Sequence, residues 1–204
     1  MKTLVIIDVQ NDFMPGGSLP VSGADRIIPV INQLLEHFDL IIATQDWHPQ
    51  NHTSFASNHI GKNPFEKAII NGMEETLWPD HCVQGTPGAD LFSEMHTNKI
   101  AVIFRKGMNP EVDSYSGFYD NHRKVSTGLC GYLKEKGVSK VYFCGLAADI
   151  CVYFTIKDAL KEGFSARLID DASHPLNAAE YEILKIELVA KGVKIVSSKD
   201  IIGK

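Results

Sequence analysis

Residues 140–169 read KVYFCGLAADICVYFTIKDALKEGFSARLI and contain one strand–helix–strand unit. The apolar, β-branched runs Lys140–Cys144 and Ala166–Ile169 predict strands. Between them, the pattern of Asp149–Glu162 predicts an amphipathic helix, which Gly163 ends. This order indicates a parallel sheet, because parallel neighbours need a crossover connection that is usually a helix.

The same alternation continues over most of the chain. Further strands are predicted at Thr3–Val9, Leu40–Thr44, Ile100–Arg105 and Val193–Ser197. Further helices are predicted at Ala24–Phe38, Val125–Lys136 and Ala178–Lys191. We therefore expect an α/β fold with a doubly wound, Rossmann-like, six-stranded and mainly parallel sheet that carries helices on both faces.

The segment at about residues 45–98 departs from this alternation, since it is rich in Pro, Gly, Asn and His. It offers only short helical hints, at Phe65–Met73 and Ala89–Glu94. Long irregular segments in compact domains are usually functional or disordered, and the aromatic residues in this one favour packing. No repeat or linker marks a second domain, so residues 1–204 are expected to form a single domain.

Composition restricts the classes of partner. The 204 residues carry a formal net charge of -5 and a pI near 5.9, which leaves no basic excess for nucleic acid or an anionic membrane. A small-molecule ligand is expected instead. The apolar run after Met1 is cut off at Asp8, too early for a secretory or membrane segment, so we expect a cytoplasmic protein whose four cysteines are reduced.

Polar residues follow the predicted strands at their carboxyl ends, where open α/β sheets bind ligands. Asp8 ends the first strand, Lys106 follows the third, and Cys151 lies in the first turn of the helix after the fourth. The free N–H groups and dipole of a helix start favour a thiolate, which predicts a lowered thiol pKa and a place for an oxyanion. A cysteine at such a position is, however, more often a small buried residue.

Asp8 and Lys106 have two interpretations that the residues alone leave open. A carboxylate at the end of an apolar strand needs a partner, and Lys106 could supply the charge. The two could form a buried ion pair that only stabilises this edge of the sheet. Together with Cys151, they could also provide the proton acceptor and the orienting charge that an acyl transfer needs.

A metal site is predicted within the irregular segment at about residues 45–98. Asp46 and His48 stand at i and i+2, on the same side of an extended chain, which suits a chelate. His81 is the candidate for a third ligand, although His52 lies in the same region. Cys82 is predicted to pack, because adjacent side chains point apart. One carboxylate and two imidazoles suit a divalent ion such as zinc or iron, with manganese a further option.

At this point the sequence resembles, nearly from end to end, the nicotinamidase/pyrazinamidase branch of the isochorismatase-like cysteine hydrolases. The motifs that carry the resemblance are DVQNDF (8–13) with GGSL (16–19), DWHP (46–49), WPDHCVQGTPGA (78–89), KG (106–107) with YSGF (115–118), and GLAADICV (145–152). The resemblance implies roles for two sets of residues. They are the catalytic triad Asp8, Lys106 and Cys151, and the metal ligands Asp46, His48 and His81.

The resemblance also implies the surroundings of the substrate. Phe13, Trp78 and Tyr115 would line an aromatic slot. A cis peptide bond before Ala147 would direct its N–H, with that of Cys151, at the oxyanion. One departure from the family is Ala148, which stands where many relatives have Thr. Another concerns His52, since some relatives take a fourth ligand from this loop and its spacing leaves open whether it reaches the ion or only a water bound to it.

The activity that the resemblance implies is that of a metal-dependent cysteine amidohydrolase acting on linear amides. Such an enzyme hydrolyses nicotinamide to nicotinate and ammonia through a thioester on Cys151, as in NAD salvage, and pyrazinamide is a further expected substrate. At the family level a homo-oligomer, namely a dimer, is expected. NAD itself is not expected to bind, because no Gly-x-Gly-x-x-Gly follows a predicted strand.

Two alternatives accompany this interpretation. The first is a different isochorismatase-like hydrolase, which the Asp46, His48 and His81 set disfavours. The second is a non-catalytic small-molecule or metal sensor on the same scaffold, because a fold does not fix a function. The complete triad disfavours this second alternative.

Overall fold

The computed structural model describes residues 1–203. The strands are β1 (Thr3–Ile7), β2 (Leu40–Asp46), β3 (Lys67–Ile70), β4 (Met73–Thr76), β5 (Val102–Lys106), β6 (Lys140–Gly145), β7 (Ser165–Ser173) and β8 (Lys194–Val196). The α-helices are α1 (Ile28–Leu34), α2 (Leu129–Glu135), α3 (Tyr153–Lys161), α4 (Ala178–Ala190) and α5 (Lys199–Ile202). None of the helices over these residues is long and apolar enough to cross a membrane.

Six strands form one parallel sheet in the order β5-β2-β1-β6-β7-β8, which confirms the predicted α/β fold. The chain builds outward from β1 through β2 to β5 and then returns to the other side of β1 with β6. The strand order therefore reverses between β1 and β6. The crevice beyond the carboxyl ends of the strands at such a reversal is where ligands bind in this class of sheet.

Both faces of the sheet are buried, which explains why its central strands have continuous apolar sequences. In β1, Leu4 and Ile6 join one hydrophobic cluster, and Val5 and Ile7 join the cluster on the opposite face. All four side chains are fully buried. The period of two that separates these residues is the geometric reason why one strand can serve two cores.

The two helical hints in the irregular segment are wrong. Most of Phe65–Met73 belongs to an antiparallel hairpin of β3 and β4. Its turn is Asn71–Gly72, and both residues adopt positive φ angles, of 50° and 83°. An Asn-Gly pair favours such a turn and was the signal in the sequence that pointed to a hairpin. At Ala89–Glu94 the chain has only the end of a short 3₁₀ turn, Pro87–Ala89, before it becomes extended.

The turn that leads to Cys151 differs from its expected form in two ways. No peptide bond between residues 1 and 203 is cis, so the predicted cis bond before Ala147 is wrong. The reversal is made instead at Gly145, whose φ of 118° suits a residue without a side chain. The helix begins with a π-helical turn at Ala148–Val152, and α3 continues from it.

Candidate active site

The ammonium group of Lys106 contacts residues that follow or end three other strands of the sheet. Lys106, at the end of β5, places its Nζ 2.9 Å from Oδ2 of Asp8 and 2.9 Å from Oδ1 of Asp46. The same Nζ lies 3.5 Å from Sγ of Cys151 and 2.9 Å from the carbonyl oxygen of Ser114. The three residues predicted as a triad therefore meet at one edge of the sheet, although 143 positions separate Asp8 from Cys151 (151 − 8).

Lys106 is held in its charged form. Burial alone would lower the pKa of its ammonium group, but the carboxylates of Asp46 and Asp8 outweigh burial and raise that pKa well above its ordinary value. The side chain is completely shielded from solvent. A positive charge is thus fixed between two carboxylates and beside the thiol.

Asp8 is a fully buried carboxylate with a strained backbone. Its φ of 47° is unusual for a residue other than glycine. Burial raises its carboxyl pKa, while Lys106 and a hydrogen bond from Thr44 oppose that effect. Thr44 Oγ1 donates to Oδ1 of Asp8 at 2.6 Å and accepts from the Asp8 N–H at 3.2 Å.

The thiol of Cys151 does not have the lowered pKa that its position at a helix start predicted. Burial raises the pKa well above its ordinary value, and the carboxylates of Asp8 and Asp46 add to this effect, while Lys106 opposes it. The helix terminus is outweighed because the sulfur lies in a water-poor site beside two negative charges. A thiol with a raised pKa needs a base to become a nucleophile.

Asp46, His48 and His81 form a cluster suited to a divalent ion. The Nε2 atoms of His48 and His81 lie 3.2 Å and 3.7 Å from Oδ2 of Asp46. One ligand atom from each of the three residues lies within 4.8 Å of the others, and all three side chains are buried. Burial would raise the pKa of Asp46, but His48 and Lys106 outweigh it and hold that pKa well below its ordinary value.

The hydrogen bonds of the two histidines select the tautomer that a metal ligand needs. Nδ1 of His48 lies 3.0 Å from the carbonyl oxygen of Gly107, and Nδ1 of His81 lies 2.8 Å from that of Pro79. A carbonyl can only accept, so each Nδ1 carries a proton, which leaves Nε2 as the nitrogen that can offer a lone pair to an ion. The buried Nε2 atoms of His48 and His52 both have no hydrogen-bond partner within residues 1–203, and Nε2 of His48 is the one that lies 3.2 Å from Asp46.

His52 lies beside this cluster but has the opposite hydrogen-bond pattern. Its ring centroid is 4.3 Å from that of His48. Its Nδ1 accepts from the N–H of Ser54 at 3.2 Å and lies 2.7 Å from the Ser54 hydroxyl. Burial lowers its pKa to about 4, so the ring is neutral and its single proton is on Nε2. In this tautomer Nε2 of His52 carries the proton and Nδ1 carries the lone pair.

A cavity with an empty volume of about 420 Å³, part of it at the open mouth, lies between the thiol and the metal cluster. The aromatic residues expected to line it are all present, and Trp78 Nε1 donates to the hydroxyl of Tyr115 at 3.2 Å. The lining residues are Phe13, Leu19, Val21, Asp46, Trp78, His81, Asp113, Tyr115, Ala147, Ile150, Cys151 and Leu176. The cavity thus has apolar walls with a few polar groups, an arrangement typical of a small-molecule site.

Ala147 supplies a backbone donor at this cavity. Among the described residues its N–H donates to no protein acceptor, whereas the next N–H, of Ala148, donates to the carbonyl oxygen of His174 at 2.9 Å. Ala147 lines the cavity beside Cys151. An unpaired N–H next to a nucleophile is the kind of group that can stabilise an oxyanion.

Sequence reasoning missed several residues of the site. Thr44 is one. Gly107 lies within the KG motif, but its role was not predicted: its φ is 68°, and a Cβ there would collide with the ring of His48. Asp113 was also missed, although it lines the cavity and its carboxylate lies within 4.8 Å of ligand atoms of His48 and His52. The presence of glycine directly after Lys106 could have indicated a turn with a positive φ angle, because glycine adopts such angles without strain.

The chain is similar to several known proteins. The isochorismatase domain family model matches residues 2–200. The chain is 48% identical to the nicotinamidase of Acinetobacter baylyi over 200 residues, which cover 98% of this chain and 94% of that protein. The structure of the Acinetobacter baumanii nicotinamidase/pyrazinamidase is 44% identical, with a TM-score of 0.94 over 98% of this chain and 97% of that one.

A third similar protein is known in a metal-bound form. The pyrazinamidase of Pyrococcus horikoshii, solved in complex with zinc, is 38% identical to this chain. The TM-score is 0.80, and the match covers 96% of this chain and 98% of that one.

Proposed function

The chain belongs to the isochorismatase family, and we propose that it is a metal-dependent nicotinamidase that hydrolyses nicotinamide to nicotinate and ammonia. The observation that carries the proposal is the contact of the Lys106 ammonium with Asp8, Asp46 and Cys151 at the edge of the cavity. This contact joins a nucleophile, a base and the metal cluster in one place. Pyrazinamide, which has the same ring size and the same carboxamide, is proposed as a second substrate.

The same proposal includes the domain organisation, the location and the oligomeric state. Residues 1–204 act as one isochorismatase-like hydrolase domain. The enzyme works in the cytoplasm in NAD salvage and assembles as a homodimer. Light scattering of the purified protein tests the dimer.

Binding orients the amide. The ring of nicotinamide lies between the aromatic walls formed by Phe13, Trp78 and Tyr115, and its carboxamide carbon faces the sulfur of Cys151. Asp46, His48 and His81 would hold a zinc, iron or manganese ion, which would supply a Lewis acid for the ring nitrogen. Fixing a substrate in this way can contribute several kcal/mol, up to about 7–11 kcal/mol in favourable cases.

Acylation begins with transfer of the thiol proton of Cys151 to the carboxylate of Asp8. The electron pair left on sulfur forms the S–C bond, and the carbonyl π electrons move to oxygen. The N–H groups of Ala147 and Cys151 stabilise this oxyanion, and the Lys106 ammonium stabilises the charges on both sides of the proton transfer. The C–N bond then breaks as Asp8 returns its proton to nitrogen, which releases ammonia and leaves a thioester.

Deacylation repeats the same steps with water. Asp8 removes a proton from the water, the new hydroxide oxygen adds to the thioester carbon, and the C–S bond breaks. The proton on Asp8 returns to sulfur, and the product leaves as nicotinate after its carboxyl group, which keeps the second proton of the water, releases that proton to solvent. The raised pKa of Asp8 suits both directions, because the group must accept and return a proton in each half of the reaction.

His52 is left out of the proposed ligand set. Its proton lies on Nε2, and an ion at that atom would need the ring to lose its hydrogen bond with the Ser54 N–H. We assign it instead as a buried neighbour of the ligand set, in the cluster that also contains His48 and Asp113.

Ammonia release tests the function. Purified protein loaded with zinc, iron or manganese is incubated with nicotinamide, and ammonia and nicotinate are measured. The two products should appear in equal amounts. Cys151→Ala should abolish release, whereas Cys130→Ala, which changes a buried thiol on α2, should retain it. Chelation or Asp46→Ala should raise KM sharply or stop turnover. Full activity of Cys151→Ala, or of protein verified to be metal-free, would contradict the proposal.

A further inference from the structure

Thr44 occupies a special place between the two central strands. It lies in β2 and is completely buried, and its hydroxyl makes both of its hydrogen bonds to Asp8 at the end of β1. It donates to Oδ1 and accepts from the backbone N–H of the same residue. A single side chain therefore holds both the carboxylate and the backbone of Asp8.

The backbone of Asp8 needs such support. A φ of 47° is sparsely populated by residues that carry a Cβ, and it persists only where the surroundings fix it. The accepted bond from the Asp8 N–H fixes the amide, and the donated bond fixes the carboxylate. The direction of the carboxylate is consequently determined by Thr44 as well as by Lys106.

The two oxygens of the Asp8 carboxylate have different surroundings. Oδ1 accepts the short bond from Thr44, at 2.6 Å. Oδ2 lies 2.9 Å from Nζ of Lys106, which is itself 3.5 Å from the sulfur of Cys151. Oδ2 thus contacts the ammonium that also contacts the thiol, whereas Oδ1 is taken by Thr44.

We propose that Thr44 is a positioning residue that reserves Oδ1 of Asp8 and so presents Oδ2 as the oxygen that accepts the thiol proton of Cys151. The inference rests on the proposed function, because it assigns an atom to the base of that reaction. In the step, the S–H bond breaks, the O–H bond forms at Oδ2, and the electron pair remains on sulfur. The same proton later leaves Oδ2 for the nitrogen of the departing ammonia.

Packing fixes the orientation of the Thr44 hydroxyl. The γ-methyl of Thr44 is turned toward Gly117, where an added Cβ would approach it to 2.9 Å. The methyl group cannot exchange places with the hydroxyl without losing the bonds to Asp8. Valine would keep this shape and lose the bonds, whereas serine would keep the hydroxyl and lose the methyl contact.

The test compares Thr44→Val with Thr44→Ser. We expect Thr44→Val to lower kcat for ammonia release by about tenfold or more, with KM changed by less than about threefold, because only the proton transfer is impaired. Thr44→Ser should restore kcat to within about threefold of the wild type. The rate at which iodoacetamide alkylates Cys151 should fall in Thr44→Val and recover in Thr44→Ser, without any substrate present.

A matched control comes from β1. Thr3 is equally buried, but its hydroxyl has no hydrogen-bond partner within the part of the chain that the structure describes. Thr3→Val should therefore leave kcat and the alkylation rate unchanged. Melting temperature and metal content are measured for every variant, and Thr44→Ala replaces Thr44→Val if the latter is insoluble.

Three results separate the outcomes. Wild-type kcat and alkylation rate in a folded, metal-loaded Thr44→Val protein would overturn the role of Thr44. A change in KM alone would also overturn it, because that result places Thr44 in binding. A wild-type protein that releases no ammonia from nicotinamide would refute the proposed function, while the alkylation rates would still test the contact between Asp8 and Cys151.

Discussion

Replacing Lys106 by methionine removes the charge that joins the site while keeping a chain of similar length. In the wild type, one buried ammonium contacts two carboxylates at 2.9 Å each. Lys106→Met leaves Asp8 and Asp46 without that cation, and Asp8 has no other charged partner among its hydrogen bonds. Breaking a buried ion pair by removing one partner costs about 3–5 kcal/mol, because a buried charge is left uncompensated.

The expected loss in free energy of unfolding is measurable by urea denaturation, and thermal unfolding measures the matching fall in melting temperature. At about 2–4 °C for each kcal/mol in a chain of this size, the melting temperature should fall by roughly 6–20 °C. The difference in free energy of unfolding between the wild type and Lys106→Met should become smaller as the pH falls. An unpaired buried carboxylate has a folded-state pKa above its unfolded value, so the folded variant takes up protons first and gains stability relative to the wild type.

The control is Lys99→Met, which removes a surface ion pair with Glu36. Exposed pairs contribute about 0–1 kcal/mol, so this variant should unfold near the wild-type urea midpoint. The two proteins are compared with the metal present and after its removal, because an ion at Asp46 would supply part of the missing charge. A free energy of unfolding for Lys106→Met within about 1 kcal/mol of the wild type in both states would refute the reasoning.

Two further predictions concern neighbouring residues. His48→Ala should lower the bound metal per protein chain, measured by mass spectrometry of the metal, by at least about tenfold at limiting metal, whereas His52→Ala should keep it near the wild-type value. The reason is that Nδ1 of His48 faces a carbonyl oxygen and leaves the lone pair on Nε2, whereas Nδ1 of His52 accepts from the Ser54 N–H; equal loss in both would contradict the assigned tautomers. Glu75→Gln should raise the free energy of unfolding by about 1–2 kcal/mol at a pH above 7, because burial and then the charge of Asp113 raise the pKa of Glu75 from 4.5 to about 7. Between pH 4.5 and about 7 the folded wild type binds more protons than its unfolded chain, so the stability of the wild type falls as the pH rises through this window. Equal free energies of unfolding for the wild type and Glu75→Gln above pH 7, measured by urea denaturation, would contradict this prediction.

The sheet was predictable because its signals are local. Continuous apolar runs such as Thr3–Val9, alternating with amphipathic helices, indicate buried parallel strands, and the structure has them with changes of a few residues at the ends. The location of Asp8, Lys106 and Cys151 at the carboxyl ends of strands followed from the same pattern. The distances between them did not, because they depend on the strand order.

The remainder depends on contacts that the sequence does not encode locally. Thr44 is an ordinary residue in an apolar strand, and its bonds to Asp8 arise only when β1 and β2 pair. Leu176 reaches the cavity because the carboxylate of Asp149 accepts from its N–H, across a separation of 27 residues. The raised pKa of Cys151 likewise reflects burial among charges from three other strands, which outweighs the local effect of a helix start.

The central claim is that the acyl group passes through the sulfur of Cys151, and trapping that group tests it most directly. The metal-loaded wild type is mixed with nicotinamide, quenched in acid within a single turnover, and digested for mass spectrometry. We predict a nicotinoyl group on the peptide that contains Cys151, formed and lost at least as fast as kcat. Full turnover with no acyl group on that peptide, or with the group on another residue, would contradict the account.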